Sequence, residues 1–334
     1  MIKIPSLDDI KPLAPGFVVS ATVAMAATFL SEHYDTPVML FALLLGMAFN
    51  FLAKDEKCRA GVAFTSSVIL RIGVALLGAK ITADAVLKLG YGPLLLTVCG
   101  VSLTIGFGML LARFMGLKRD FGLLTGVSVG ICGASAALAV ASILPRGKDG
   151  ISERDTIFTV LGVTTLSTLA MIAYPILAQS LDFDDLKAGM FLGATIHDVA
   201  QVIGAGYTIS DTAGEAATVT KLLRVALLVP VVVAITLLMF HSRRAGRSQR
   251  PPFPLFLVGF VVLVAVNSLG FIPESLRIGL ETVSRWALVA AIAALGIKTS
   301  LKDIATLGPK ALILLVAETF WIALIGLSII LWVV

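Results

Sequence analysis

About eleven stretches of this chain are apolar over lengths that cross, or nearly cross, a lipid bilayer, and most of the Lys and Arg fall in the short gaps between them. A hydrocarbon core about 30 Å thick takes roughly 20 helical residues. Several of the runs are that long, so the solvent around them is lipid. They fall at residues 16–30, 36–52, 61–79, 93–115, 121–144, 156–178, 186–207, 217–240, 255–269, 276–297 and 311–334. The expected fold is therefore an all-α polytopic membrane protein with about 11 membrane segments. Composition agrees: 58% of residues are hydrophobic and only 14% charged, against about 25% charged in soluble domains.

The formal net charge of +5 does not indicate nucleic acid, because the basic residues form no stripe with interleaved aromatics. They act instead as orientation signals. Glu32 and Asp35 lie in the first gap and Lys54, Lys57 and Arg59 in the second, which predicts a cytoplasmic N-terminal segment over residues 1–15. That segment carries Asp8 and Asp9 and does not resemble a cleavable signal. The loop at 241–250 holds four arginines and is the strongest cytoplasmic signal. Residues 16–334 read as a single transmembrane domain.

An internal repeat is also visible. Leu77-Gly78-Ala79-Lys80-Ile81-Thr82 with Leu89-Gly90 resembles Leu295-Gly296-Ile297-Lys298-Thr299-Ser300 with Leu307-Gly308. Under the predicted topology the two connectors face opposite sides, so the halves, about 16–144 and 186–334, would be inverted repeats, a recurrent architecture of secondary transporters. Chance recurrence of Leu-Gly-x-Lys in Leu-rich helices is the alternative.

Two runs differ from simple lipid-facing helices. GLLTGVSVGICGASAA places Gly122, Gly126, Gly130 and Gly133 at nearly fourfold spacing, with Ser128, Cys132 and Ser135 among them. Glycines let backbones approach closely and each costs a helix about 1 kcal/mol, which predicts an interruption near 130–135. The second half-helix would then offer backbone amides to an anion. An unbroken helix in a tight small-residue interface is the alternative. GMFLGATIHDVAQVIGAG carries His197 and Asp198, with Gln201 expected one turn after His197 on the same face. A carboxylate at the bilayer centre costs about 3 kcal/mol, so Asp198 marks either a functional site or a structural hydrogen-bond acceptor. His197 suits proton coupling.

Lys221 and Arg224 share a face near the expected start of the next run, and Arg71 lies deep inside VILRIGVALL. An arginine fork suits the oxygens of an oxyanion, while structural pairing with Asp198 explains the same cations equally well. If they bind an anion, Arg224→Gln is expected to weaken binding more than folding. Glu318, within the last run, is left without a role. Cys58, Cys99 and Cys132 have no paired or metal-ligand spacing, no Gly-x-x-x-x-Gly-Lys phosphate loop occurs, and no cofactor or metal is expected.

At three motifs the chain resembles the YeiH family, named for sulfate export: GVSVGICGASA at 126–136, TIHDVAQV at 195–202 and KLLRV at 221–225. With the Leu-Gly repeat ends, the likeness covers nearly the whole chain. Where that family often has His-Glu, this sequence has His197-Asp198, which keeps the carboxylate and shortens its reach. The resemblance implies transport and a relation to sodium–proton antiporters and bile-acid-type symporters, with two interrupted helices crossing at 130–135 and 197–201.

The expected function is export of a small oxyanion such as sulfate or sulfite, coupled to a proton or sodium gradient. Gly130, Cys132, Gly133, Ser135, His197, Asp198, Gln201, Arg71, Lys221 and Arg224 would line the site. A cation–proton antiporter using Asp198 is the alternative, and a hydrolase using Ser128, Ser135 or Cys132 with His197 is the least favoured. Expected partners are lipid, the anion, the coupling ion and a second copy of the chain in a homodimer; the expected location is a bacterial inner membrane. The topology has a direct check: a reporter fused within residues 241–250 should read cytoplasmic and one at the C-terminus periplasmic, because the arginine cluster dominates local orientation.

Overall fold

The computed structural model describes residues 11–34, 38–145, 150–241, 255–299 and 309–333, and every regular element within them is helical. In chain order the elements are α1 (Ala14–Tyr34) and α2 (Val38–Ala48). Next come α3 (Glu56–Leu77), α4 (Ala83–Lys88), α5 (Gly92–Phe114) and α6 (Arg119–Gly130). They are followed by α7 (Ala134–Ala141), α8 (Glu153–Ser180), α9 (Asp185–Thr195) and α10 (Val199–Ile209). The last are α11 (Asp211–Ala226), α12 (Leu228–His241), α13 (Leu255–Ser268), α14 (Glu274–Lys298) and α15 (Pro309–Trp332). Among the described residues seven helical segments are long and apolar enough to cross a membrane, and shorter apolar helices supplement them. The protein is a polytopic α-helical membrane protein. The Arg-rich loop and the second repeat end, Leu307-Gly308, lie outside the described residues.

One boundary shifts the reading of the chain. The run expected at 217–240 starts at Asp211, where Ser210 caps α11 by accepting from the Ala213 amide. Asp211, Glu215 and the threonines of DTAGEAATVT lower the hydropathy of a segment whose helix is fixed by the Ser210 cap and by close packing of Gly189 and Gly193 on Ala213 and Ala217. Lys221 and Arg224 consequently sit inside the long helical stretch Asp211–Leu238 rather than near its end.

The helices form two compact units, one of α1–α4 with α13 and α14, the other of α5–α12 with α15. In the first unit α3 widens into a π turn at Thr65–Ile69. Lys298 at the end of α14 donates to Ser66 Oγ (3.2 Å), and Ser284 of α14 donates to the Gly73 carbonyl (2.7 Å). Leu77 ends α3, while Leu295 and Gly296 fall in the last turn of α14, so both repeat motifs terminate helices.

The second unit contains the two unusual runs, and both are interrupted. α6 stops at Gly130 and α7 begins at Ala134; α9 stops at Thr195 and α10 begins at Val199. The pieces are held by very close packing. A Cβ on Gly122 would lie 2.5 Å from the Gly108 carbonyl oxygen of α5, and one on Gly193 would lie 2.4 Å from that of Ala217 in α11. Around them Val129, Val163, Leu315 and Ile322 form an apolar cluster.

The closest contacts are thus not at Gly130, where an added Cβ meets nothing nearer than 3.6 Å. Gly193→Ala should therefore destabilise the protein by about 1–3 kcal/mol, since overpacking forces two backbones apart. Gly130→Ala should leave stability nearly unchanged. Thermal unfolding of the two variants in detergent provides the comparison.

Candidate functional site

Each interruption has a local cause. Ile131 leaves the helical region (φ −113°, ψ −83°), and Gly133 takes φ 61°, ψ −122°, a conformation open essentially to glycine alone. At the second break Ile196 is extended (φ −69°, ψ 139°) and Asp198 caps α10, its Oδ1 accepting from the Ala200 amide at 2.9 Å. The Asp198 amide donates to Ser167 Oγ of α8 at 3.0 Å. The breaks touch: a Cβ on Gly133 would lie 3.7 Å from the His197 Cβ.

A helix ending inside the membrane leaves its last carbonyls without partners. Here two cations from α11 supply them. Lys221 donates to the carbonyls of Ile131 (2.6 Å), Ile196 (2.9 Å) and His197 (2.5 Å). Arg224 donates through Nε to Gly130 (2.9 Å), through Nη1 to Gly193 and Ile196 (both 3.1 Å), and through Nη2 to Val129 (2.9 Å) and Gly130 (2.7 Å). An ammonium has three donors and a guanidinium five, so both sets are filled. For α6 the accounting is complete: Val127 and Ser128 accept from the amides of Ile131 and Gly133, and Val129, Gly130 and Ile131 accept from the cations. Both side chains are fully buried.

The residues matched by one family model, described as Conserved hypothetical protein 698, are 15–315. UPF0324 membrane protein CT0845 of Chlorobaculum tepidum is 52% identical over 95% of this chain and 89% of its own length. UPF0324 membrane protein TauZ of Paracoccus denitrificans is 51% identical over 98% of both chains, and UPF0324 membrane protein RB0971 of Rhizobium meliloti is 50% identical over 94% of this chain and 91% of its own. This chain belongs to the UPF0324 membrane protein family. No solved structure matches it.

In this UPF0324 protein the charges divide by helix end. The C-termini of α6 and α9 carry about −0.5 elementary charge each, and the N-termini of α7 and α10 about +0.5 each. Lys221 and Arg224 more than cancel the negative ends. The N-cap of α7 is Gly133, which has no side chain to offer, and the Cys132 thiol lies against the Ala136 amide of its first turn, while Asp198 caps α10. Taking formal charges with these dipole ends, the crossing carries a surplus of about +1. Its accessible edge is at the N-terminal ends: Ser135 is exposed, and Ala134, Asp198 and Val199 are partly so.

The other expected residues distribute as follows. Gly130, Cys132, Gly133 and His197 are buried at the breaks. His197 lies inside the interruption rather than on a helix face shared with Gln201; its Nε2 is hydrogen-bonded to Thr319 Oγ1 of α15 at 3.0 Å. Gln201, one residue into the buried side of α10, donates to Thr168 of α8 at 2.7 Å. Arg71 belongs to the first unit and is exposed. Sequence reasoning missed Ser167, Thr168 and Thr319, because a hydroxyl on an apolar helix is usually satisfied by its own backbone. The adjacent polar pairs Ser167-Thr168 and Glu318-Thr319, each inside an apolar run, were the available signal.

The filled donors change what Arg224→Gln should do. Removing the guanidinium strands several buried carbonyls, each costing about 1–3 kcal/mol. The variant should therefore lose about 3 kcal/mol or more of stability, visible as a lowered unfolding temperature in detergent, rather than merely weakening ligand binding.

Proposed function

We propose that this protein is a secondary transporter, not an enzyme, that moves a small oxyanion across a bacterial inner membrane. The observation that carries the reading is the division of charge at the crossing. Two buried cations neutralise the C-terminal ends of both interrupted helices, leaving N-terminal ends at an accessible edge where backbone amides suit an anion. Lys221 and Arg224 act through their field, not as direct ligands. Interrupted helices at the membrane centre are the recurrent binding element of secondary transporters.

The resemblance to the YeiH family supports sulfate or sulfite as substrate and export as direction, with the N-terminus cytoplasmic. A hydrolase is less well supported: Ser128 gives its hydrogen to the Leu124 carbonyl at 2.5 Å, and His197 Nε2 is engaged with Thr319. The position of Asp198 favours a cap over a cation ligand, since its short side chain reaches the amide two residues on.

Flux into proteoliposomes under imposed proton and sodium gradients tests the reading, with sulfate, sulfite, other small anions and sodium compared. Anion flux is the expected result; sodium–proton exchange without anion movement would overturn it. Ser135→Asp should reduce anion flux about tenfold or more with an unchanged unfolding temperature. Like charges near contact at an effective dielectric of about 20 repel by more than the 1.4 kcal/mol that a tenfold change requires.

A further inference from the structure

Glu318 lies in the middle of α15 and is the only fully buried carboxylate among the described residues. Its setting is a slot between two backbones. Oε1 accepts from Thr125 Oγ1 of α6 at 2.8 Å. The position that a Cβ on Gly108 of α5 would occupy is 2.2 Å from Oε1, 2.8 Å from the Gly122 carbonyl oxygen and 3.1 Å from the Gly126 Cα. Glycines at 108, 122 and 126 therefore make the room the carboxyl fills. Oε2 is buried and has no hydrogen-bond partner.

No described charged side chain faces it. On α5, α6, α8 and α9, the helices packed against α15, the charged residues are Arg113, Arg119, Asp120, Glu153, Arg154, Asp155, Asp185 and Lys187, all in terminal turns. Lys310 is in the first turn of α15 itself. Lys221 and Arg224 have every donor engaged by carbonyls. Of the other titratable groups, His197 binds Thr319 and Tyr174 of α8 packs on the Phe191 ring with centroids 5.5 Å apart. Cys99 of α5 is partly buried, and none of the three is hydrogen-bonded to Glu318.

We propose that Glu318 is a proton-binding site, with the proton carried on Oε2 and its occupancy linked to the crossed helices through α15. A carboxyl with a proton needs no counter-ion in this slot. An ionised one requires water or a cation, and either enters only if α15 separates from α5 and α6. A metal ion would need a shell of several oxygens, for which two glycine backbones in van der Waals contact leave no space. The next residue, Thr319, holds His197 at the break, so a movement of α15 that admits water beside Glu318 also moves a residue of the crossing. Binding forms one O–H bond with a proton from water and releases nothing else. That this proton drives solute movement rests on the transporter reading above; that it binds does not.

Infrared titration of the purified protein in lipid, with no substrate present, reads the protonated carboxyl through its C=O stretching band. A band that titrates with pH in the wild type and is lost in Glu318→Gln is expected; identical titrations of the two proteins would overturn the proposal. In case Glu318→Gln does not fold, Thr125→Val keeps the carboxyl and removes its hydrogen bond. The band should then shift to the position of an unbonded carbonyl, and an unshifted band would also overturn the assignment. In proteoliposomes Glu318→Gln should lose acceleration of flux by a pH gradient while keeping solute exchange at equal pH. Retained pH-driven flux would overturn the link to transport. Should the wild type move none of the solutes tested, the transporter reading fails and the infrared titration still decides the proton site.

Discussion

Everything specific in the second unit depends on how two half-helices can end inside a membrane. Ending a helix in hydrocarbon exposes carbonyls that cost several kcal/mol each when left bare. Lys221 and Arg224, three residues apart on α11, answer that cost for both α6 and α9 at once. Two buried cations would be unaffordable without acceptors, and two bare helix ends equally so without donors. Each defect is tolerated only because the other is present.

The small residues follow from the same constraint. For side chains on α11 to reach carbonyls of α6 and α9, the helix axes must approach closely, and Gly193 lets α9 lie against Ala217 and Thr220 of α11. Gly133 has a different task. Its positive φ turns the chain so that α7 starts beside His197 instead of continuing α6. One glycine therefore sets direction while others set distance, although all sit in similar small-residue patterns.

The arrangement also separates field from contact. Cations whose donors are filled by backbone still raise the local potential. In the proposed transporter an anion would meet that potential at the N-terminal end of α7, so selectivity for charge and fit to a particular anion would reside in different residues. The hydroxyl and amide groups of Ser167, Thr168 and Thr319 hold the second break from α8 and α15, so the crossing is braced on helices that take no part in capping it.

Hydropathy by itself determined the helical class and the polytopic membrane architecture, because the length of an apolar run is a local property read directly against bilayer thickness. Glycine spacing located the first interruption within a few residues, whereas the second, at His197-Asp198, was expected only from the family resemblance; the residues themselves read as one continuous helix with His197 and Gln201 on a shared face. The start of α11 was not legible in the same way: Asp211, Glu215 and three threonines lower the hydropathy of its first turns, so Lys221 read as an end residue when it lies well inside the helical stretch. What the cations do was decided only by tertiary structure. Lys221 and Arg224 stand roughly 25 to 95 positions from the carbonyls they bind, and nothing in a linear pattern tells a guanidinium aimed at a ligand from one aimed at a helix end. Arg71 shows the converse, a buried-looking position in the sequence whose helix turns it to an exposed face. Glu318 needed the fold most of all, since its slot exists only where α5, α6 and α15 meet and three glycines withhold their side chains.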